Sequence, residues 1–179
     1  MTSYAFPPGG LPDQSTSPES TAVFTPAYAV IPASVQRDIV TSFLPEWRDS
    51  RAWVLARPLT GFAETFSQYA LEIAPGGGSA RPEPDKAAQG VLFVAVGTAR
   101  LTIGEAEHDL RPGSYAYLPP ASDWSLFTTG DTPCKLHWIR KRYTPVSGLD
   151  MPPALVTHEK DVPQVAMPHT DGHFSARRA

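Results

Sequence analysis

Cysteine is nearly absent from this 179-residue chain: there is one, Cys134. That excludes an internal disulfide and a thiolate metal cluster. A lone Cys in the strand-like run "PCKLHWIRKRY" reads as a small buried hydrophobe. Charge is also sparse, at 18% of residues with a net charge of -3. The densest basic run is only Arg140-Lys141-Arg142. It reads as a solvated strand end or a contact to a neighbouring subunit, and nucleic acid is not an expected partner. No apolar stretch approaches the ~18 residues that span a bilayer, and the N-terminus does not follow a basic start with an apolar run, so neither a membrane nor secretion is expected. A reducing cytoplasmic setting fits. Amphipathic helical periodicity is missing as well.

What the chain does have is proline, 20 residues of it, and apolar residues at 41%. The first 21 residues, rich in Pro, Gly, Ser and Thr, read as a flexible leader. "AVFTPAYAVI" (22–31) reads as a strand with Pro26 at an edge or bend. "TSFLPEWRDS" (41–50) reads as a loop anchored by Phe43, Leu44 and Trp47. From Ala52 to Tyr143 short strand-like runs follow one another. Tyr69, Leu71 and Ile73 alternate with Gln68, Ala70 and Glu72, the period of a half-buried strand. "GVLFVAVG" is continuously apolar, as a strand covered on both faces would be. "ARLTIGEAEHDL" reads as a hairpin turning near Gly104-Glu105. "GSYAYLPP" is a strand stopped by two prolines, and two further strands flank Gly130-Asp131. Many short strands with frequent turns predict an all-β jelly roll over 22–143. Val91, Phe93, Leu101, Ile103, Leu118 and Leu136 are the expected core. Residues 144–179, with five prolines among them, read as an extended arm or linker.

The strand spacing resembles that of the cupin-type jelly-roll barrel. Cupins carry two motifs, whose two His, one Glu and a further His converge on a divalent metal. Counting back from Gly97, the Glu position falls on Gly90 and the two His positions on Glu83 and Asp85. In the second motif Gly113 and Pro119 fit, Ala121 replaces the usual glycine, and the His position falls on Trp124. No histidine remains at a ligand position, and an indole cannot coordinate a metal in place of an imidazole. Glu83 and Asp85 with His137 would make an oxygen-rich site for Mn or Mg. Against that, "RPEPDK" reads as a charge-balanced loop in which Arg81 and Lys86 pair the acids, and His137 reads as a structural strand histidine. The candidate barrel pocket is Glu83, Asp85, Tyr117, Trp124 and His137, with Tyr115 and Tyr117 turning their hydroxyls toward water. His108 reads as an exposed hairpin residue, and His158, His169 and His173, in the tail, as too dispersed for a pre-formed site.

Taken together, "PGGGS", "PEPDK", "YAYLPP" and "HWIRKRY" resemble the N-terminal half of the (S)-ureidoglycine aminohydrolase family, two-cupin enzymes of allantoin catabolism. The resemblance runs from about Phe24 to the C-terminus, whose tail is similar to the family's inter-barrel linker. It implies hydrolysis of (S)-ureidoglycine to ureidoglycolate and ammonia at a Mn2+ ion acting as a Lewis acid. It also implies that the metal ligands belong to a second barrel, so no catalytic residue and no metal is expected in this chain, which stops where that barrel would begin. The other reading is a stand-alone, metal-free cupin that holds a small polar ligand, or that forms a homo-oligomer through barrel edges or arms.

Overall fold

The computed structural model describes residues 22–24, 28–32, 44–56, 65–166 and 175–177. The leader over 1–21, Phe43 and Pro58 lie outside the described residues. Every described element is a strand. Those of the barrel are β3 (Arg48–Ala56), β4 (Ser67–Ser79), β5 (Ala88–Val96), β6 (Ala99–Ile103), β7 (Ala106–Leu110), β8 (Ser114–Leu118), β9 (Trp124–Thr128), β10 (Cys134–Arg142) and β11 (Leu155–His158). They form one nine-stranded antiparallel sheet in the order β11-β8-β5-β10-β4-β9-β6-β7, with β3 beside β4, curled into a jelly-roll barrel of the cupin type. Two small hairpins lie apart from it in the pairing: β1 (Val23–Phe24) with β2 (Ala29–Val30), and β12 (Gln164–Ala166) with β13 (Ser175–Arg177). The single strand expected over 22–31 is therefore two short ones. The predicted loop over 41–50 becomes strand from Arg48, and its anchors Leu44 and Trp47 do pack on the core.

Strand β4 turns the corner of the barrel. Its first half pairs with β3 and β10, while Gly78 and Ser79 pair with β9 and Gly78 also meets Arg48 at the start of β3. "PGGGS" makes that bend. Gly78 has φ 144°, and a Cβ there would lie 2.1 Å from the carbonyl oxygen of Leu126. Only glycine lets the two backbones approach so closely.

The interior lane of β5 is one residue out of phase with the expected one. Leu92 and Val94 are fully buried, whereas Phe93 is 38% exposed and Val91 only half-buried. The strand is not covered on both faces: Phe93 and Val96 stand open on the outside. Leu101, Leu118 and Leu136 are core residues as expected, and Ile103 packs on the core while partly buried. The run after Tyr143 is not only an arm. Its β11 adds to the edge of β8, and His158 is buried there, with Nε2 at 2.9 Å from the Pro112 carbonyl and Nδ1 accepting the Lys160 amide.

Candidate functional site: the mouth of the barrel

The strand period decides which side chains reach the barrel interior. Along β10, Cys134, Leu136 and Trp138 are buried and Lys135 and Ile139 are exposed, so His137 belongs to the outer face. Register places it between Ala70 of β4 and Phe93 of β5, and its Nδ1 has no hydrogen-bond partner among the described residues. Tyr117 is on the outside too, donating its hydroxyl to Gln89 Oε1 at 2.9 Å. Its hydroxyl is therefore tied to a neighbouring strand. Of the five candidate pocket residues, the structure brings Glu83, Asp85 and Trp124 together around one pocket of ≈ 610 Å³ and separates Tyr117 and His137 from it.

The pocket opens between the segment joining β4 to β5 and the loop joining β8 to β9. Those walls are tied by the Ala121 amide, which donates to the Lys86 carbonyl at 2.9 Å. Ala121 has φ 60°, in the left-handed region, which explains why the fold's motif favours glycine there. Trp124 and Trp138 form the floor, edge to face with centroids 6.0 Å apart. Trp138 is 2% exposed and is also flanked by Trp47 at 5.8 Å and Tyr69 at 5.6 Å. A Cβ added to Gly90 would lie 3.1 Å from Trp138 Nε1. The indole thus lies against the backbone position from which the motif's glutamate would project. Sequence reasoning did not single out Trp138. The parity signal was present, because a core Leu136 puts Trp138 inside and His137 outside in any regular strand.

The acids of "RPEPDK" are ion-paired, but not by Arg81 and Lys86. Arg140 reaches across to Glu83, and Arg142 Nε donates to Asp85 Oδ2 at 2.8 Å. Two of the three residues of the basic run therefore clamp this segment onto β10, leaving Lys141 exposed. Arg140 also lies over the Trp138 ring, its guanidinium carbon 5.4 Å from the centroid. Glu83 accepts the Asp85 amide at 2.9 Å, and its side chain is 10% exposed. Burial holds the Glu83 carboxyl above its ordinary value, outweighing the Asp85 amide and the Arg140 charge that pull it down. Asp85 is held below its ordinary value, first by the hydrogen bond from Arg142 and then by the Ala87 amide.

This donor set does not fit a divalent metal. Glu83 and Asp85 are each occupied by an arginine, His137 stands on the other face of the sheet, and the positions of the missing ligands hold a glycine and an indole. Among the described residues no group of three or more His, Cys, Asp or Glu is arranged to hold an ion. The arrangement instead offers an aromatic floor, two acids paired by arginines beside it and a charged rim.

Residues 70–140 match the Cupin domain family. Among solved structures, the chain is similar to a Pseudomonas aeruginosa protein named as glyoxylate-induced, with 50% identity, a TM-score of 0.80 and coverage of 91% of this chain. It also superposes on protein Ylba of E. coli at 19% identity and a TM-score of 0.67, over 73% of this chain, a likeness of fold alone. The chain spans 61% of the length of the first and 53% of the second. No match to a curated protein was found. Among the described residues no helix is long and apolar enough to cross a membrane.

Proposed function

We propose that this cupin-fold chain is a ureidoglycine aminohydrolase-like barrel that serves as the non-catalytic partner of a metal-bearing one. The reaction class is hydrolysis of (S)-ureidoglycine to ureidoglycolate and ammonia in a cytoplasmic purine-degrading sequence, with the manganese and its ligands on the second barrel. One observation carries the reading: the indole of Trp138 packs on Gly90 where the fold's carboxylate ligand would project, and Arg140 and Arg142 hold the two acids at the former histidine positions. A barrel that kept its own metal would leave those groups free and polar. The 50% identity to a protein of which this chain spans 61% supports a likeness to part of a longer protein.

The test is metal content by mass spectrometry together with ammonia release from ureidoglycine, on the chain alone and mixed with a metal-bearing cupin barrel of the same family. The chain alone should carry no stoichiometric manganese and release no ammonia. Stoichiometric manganese with turnover in the isolated chain would overturn the reading. A second reading, a metal-free cupin acting by binding alone, is favoured by the open pocket over Trp124 and Trp138.

A further inference from the structure

The outer face of the sheet carries a pattern that the barrel itself does not use. Register fixes one row of outward positions across five strands: Trp53 on β3, Ala70 on β4, His137 on β10, Phe93 on β5 and Tyr115 on β8. Paired strands lie ~4.7–4.9 Å apart, so Ala70 and Phe93 stand about 5 Å to either side of His137, and Trp53 and Tyr115 about 10 Å. A large ring closes each end of the row. About its centre a methyl group on one side answers a benzyl group on the other. No Asp, Glu, Lys or Arg interrupts it. Phe93 is 38% exposed, and so, at 36%, is Ile139, two residues further along β10. An exposed apolar lane of this kind marks a contact surface.

The row is complementary to itself. A two-fold axis laid along β10 over His137 turns a second copy face down and exchanges the two sides of the row. Phe93 then lies over the partner's Ala70, and Trp53 over the partner's Tyr115. Packed sheets stand ~10 Å apart. A phenyl ring fills that gap opposite a methyl group, whereas two phenyl rings opposite each other overfill it. Ile139 meets the partner's Ile139 on the axis. At the other end of the lane Lys135 is paired with Glu72 at 2.9 Å, so the copies bring together two neutral pairs rather than bare like charges.

We propose that this face binds a second copy of the chain, in an isologous dimer with Phe93 seated over Ala70 across the interface. The contact is made sheet on sheet, not strand edge to strand edge. The lane offers fewer residues than the ~20–30 a side of a stable interface, so the dimer is weak, with a dissociation constant of about 10–100 µM. At the ~1 µM of a fluorescence-monitored unfolding titration the face is therefore open. The inference goes beyond the reading of this barrel as a non-catalytic partner and is independent of it. Association is measured on the chain alone, without metal or turnover, so either idea can fail while the other stands.

The experiment is sedimentation equilibrium of the full chain from about 1 µM to about 1 mM, a range that brackets the expected constant. A reversible monomer–dimer transition should appear within it. Ala70→Phe sets two phenyl rings against each other and Phe93→Ala leaves a void, so each should weaken association at least about ten-fold. Combining the two exchanges knob and hole, and should restore association to within about three-fold of the native chain. Ile139→Lys places two cations on the axis and should abolish it. Glu107→Lys, on β7 at the edge of the sheet, should leave it unchanged. Circular dichroism melts establish that each variant is folded. A chain that stays monomeric to about 1 mM, a dimer indifferent to Ile139→Lys, or an exchange variant no better than its two parents would each overturn the proposal. A monomeric chain that instead captures a metal-bearing cupin barrel through Phe93 would overturn it too, and would assign the face to that partner.

Discussion

The two faces of the sheet around β5 and β10 are built from nearly the same residue types, yet they do different work. The inner lane carries Leu92, Val94, Leu136 and Trp138, each at most 2% exposed. The outer lane carries Phe93, Val96 and Ile139, each 36% exposed or more, with His137 among them. Apolar composition does not distinguish the lanes; what separates them is the curl of the sheet, which closes one face on itself and leaves the other open. Stability is therefore concentrated on one side of strands whose two sides look alike in sequence.

The sharpest way to break this comparison is to truncate the two lanes separately. Trp138→Ala removes the central indole of the aromatic cluster and should cost about 3–5 kcal/mol. Leu92→Ala should cost about 2–5 kcal/mol, while Phe93→Ala and Ile139→Ala should cost under about 1 kcal/mol. Urea denaturation of the four variants checks this, and equal losses on both faces would mean that the outer lane is covered in solution. A smaller effect is expected where the lanes meet the pocket. Gly90→Ala places a Cβ 3.1 Å from Trp138 Nε1 and should cost about 1–3 kcal/mol by overpacking, with a shift in tryptophan emission. Glu83→Gln removes a carboxylate that burial disfavours and keeps an amide oxygen for Arg140, so it should change stability by less than about 1 kcal/mol at neutral pH.

The smallest expected effect is a pH slope. Burial pushes the Cys134 thiol up to about 11 from 9.0. Between those values the unfolded chain has lost the proton and the folded one keeps it, so the unfolded state binds fewer protons and stability falls as pH rises from about 9 to about 11. Urea midpoints across that range should decline in the native chain and level off in Cys134→Ala. A decline of the same slope in that variant would assign it to other groups.

The jelly roll was legible in the sequence because turn signals punctuate it so regularly, and the β6-β7 hairpin turns at Gly104-Glu105 as the spacing predicts. The β4 alternation was legible too, with Leu71 and Ile73 buried and Gln68 and Glu72 only partly so. On β5 it was not, because Val91, Leu92, Phe93 and Val94 are all apolar and period two leaves no trace. The motif register still held the answer. A Gly90 at an inward ligand position obliges Leu92 and Val94 to face inward as well. The acids of "RPEPDK" were read against their nearest neighbours in sequence, Arg81 and Lys86. Their partners, Arg140 and Arg142, lie 57 residues away on a strand that only the barrel brings alongside. That pairing is a property of topology, and local charge balance could not reveal it.

The aromatic cluster also has an optical consequence. Three of the chain's four tryptophans, Trp47, Trp124 and Trp138, hold their rings 5.8–6.0 Å apart around Trp138 at fixed tilts of 40° and 79°. Transition dipoles that close and that asymmetrically oriented couple, so the folded barrel should carry a near-ultraviolet circular dichroism signal far stronger than isolated indoles give. Because the coupling depends on the separation and tilt of rings drawn from β9, β10 and the segment before β3, the signal reports whether those three segments are closed upon one another. The chain carries its own gauge of closure, without any label.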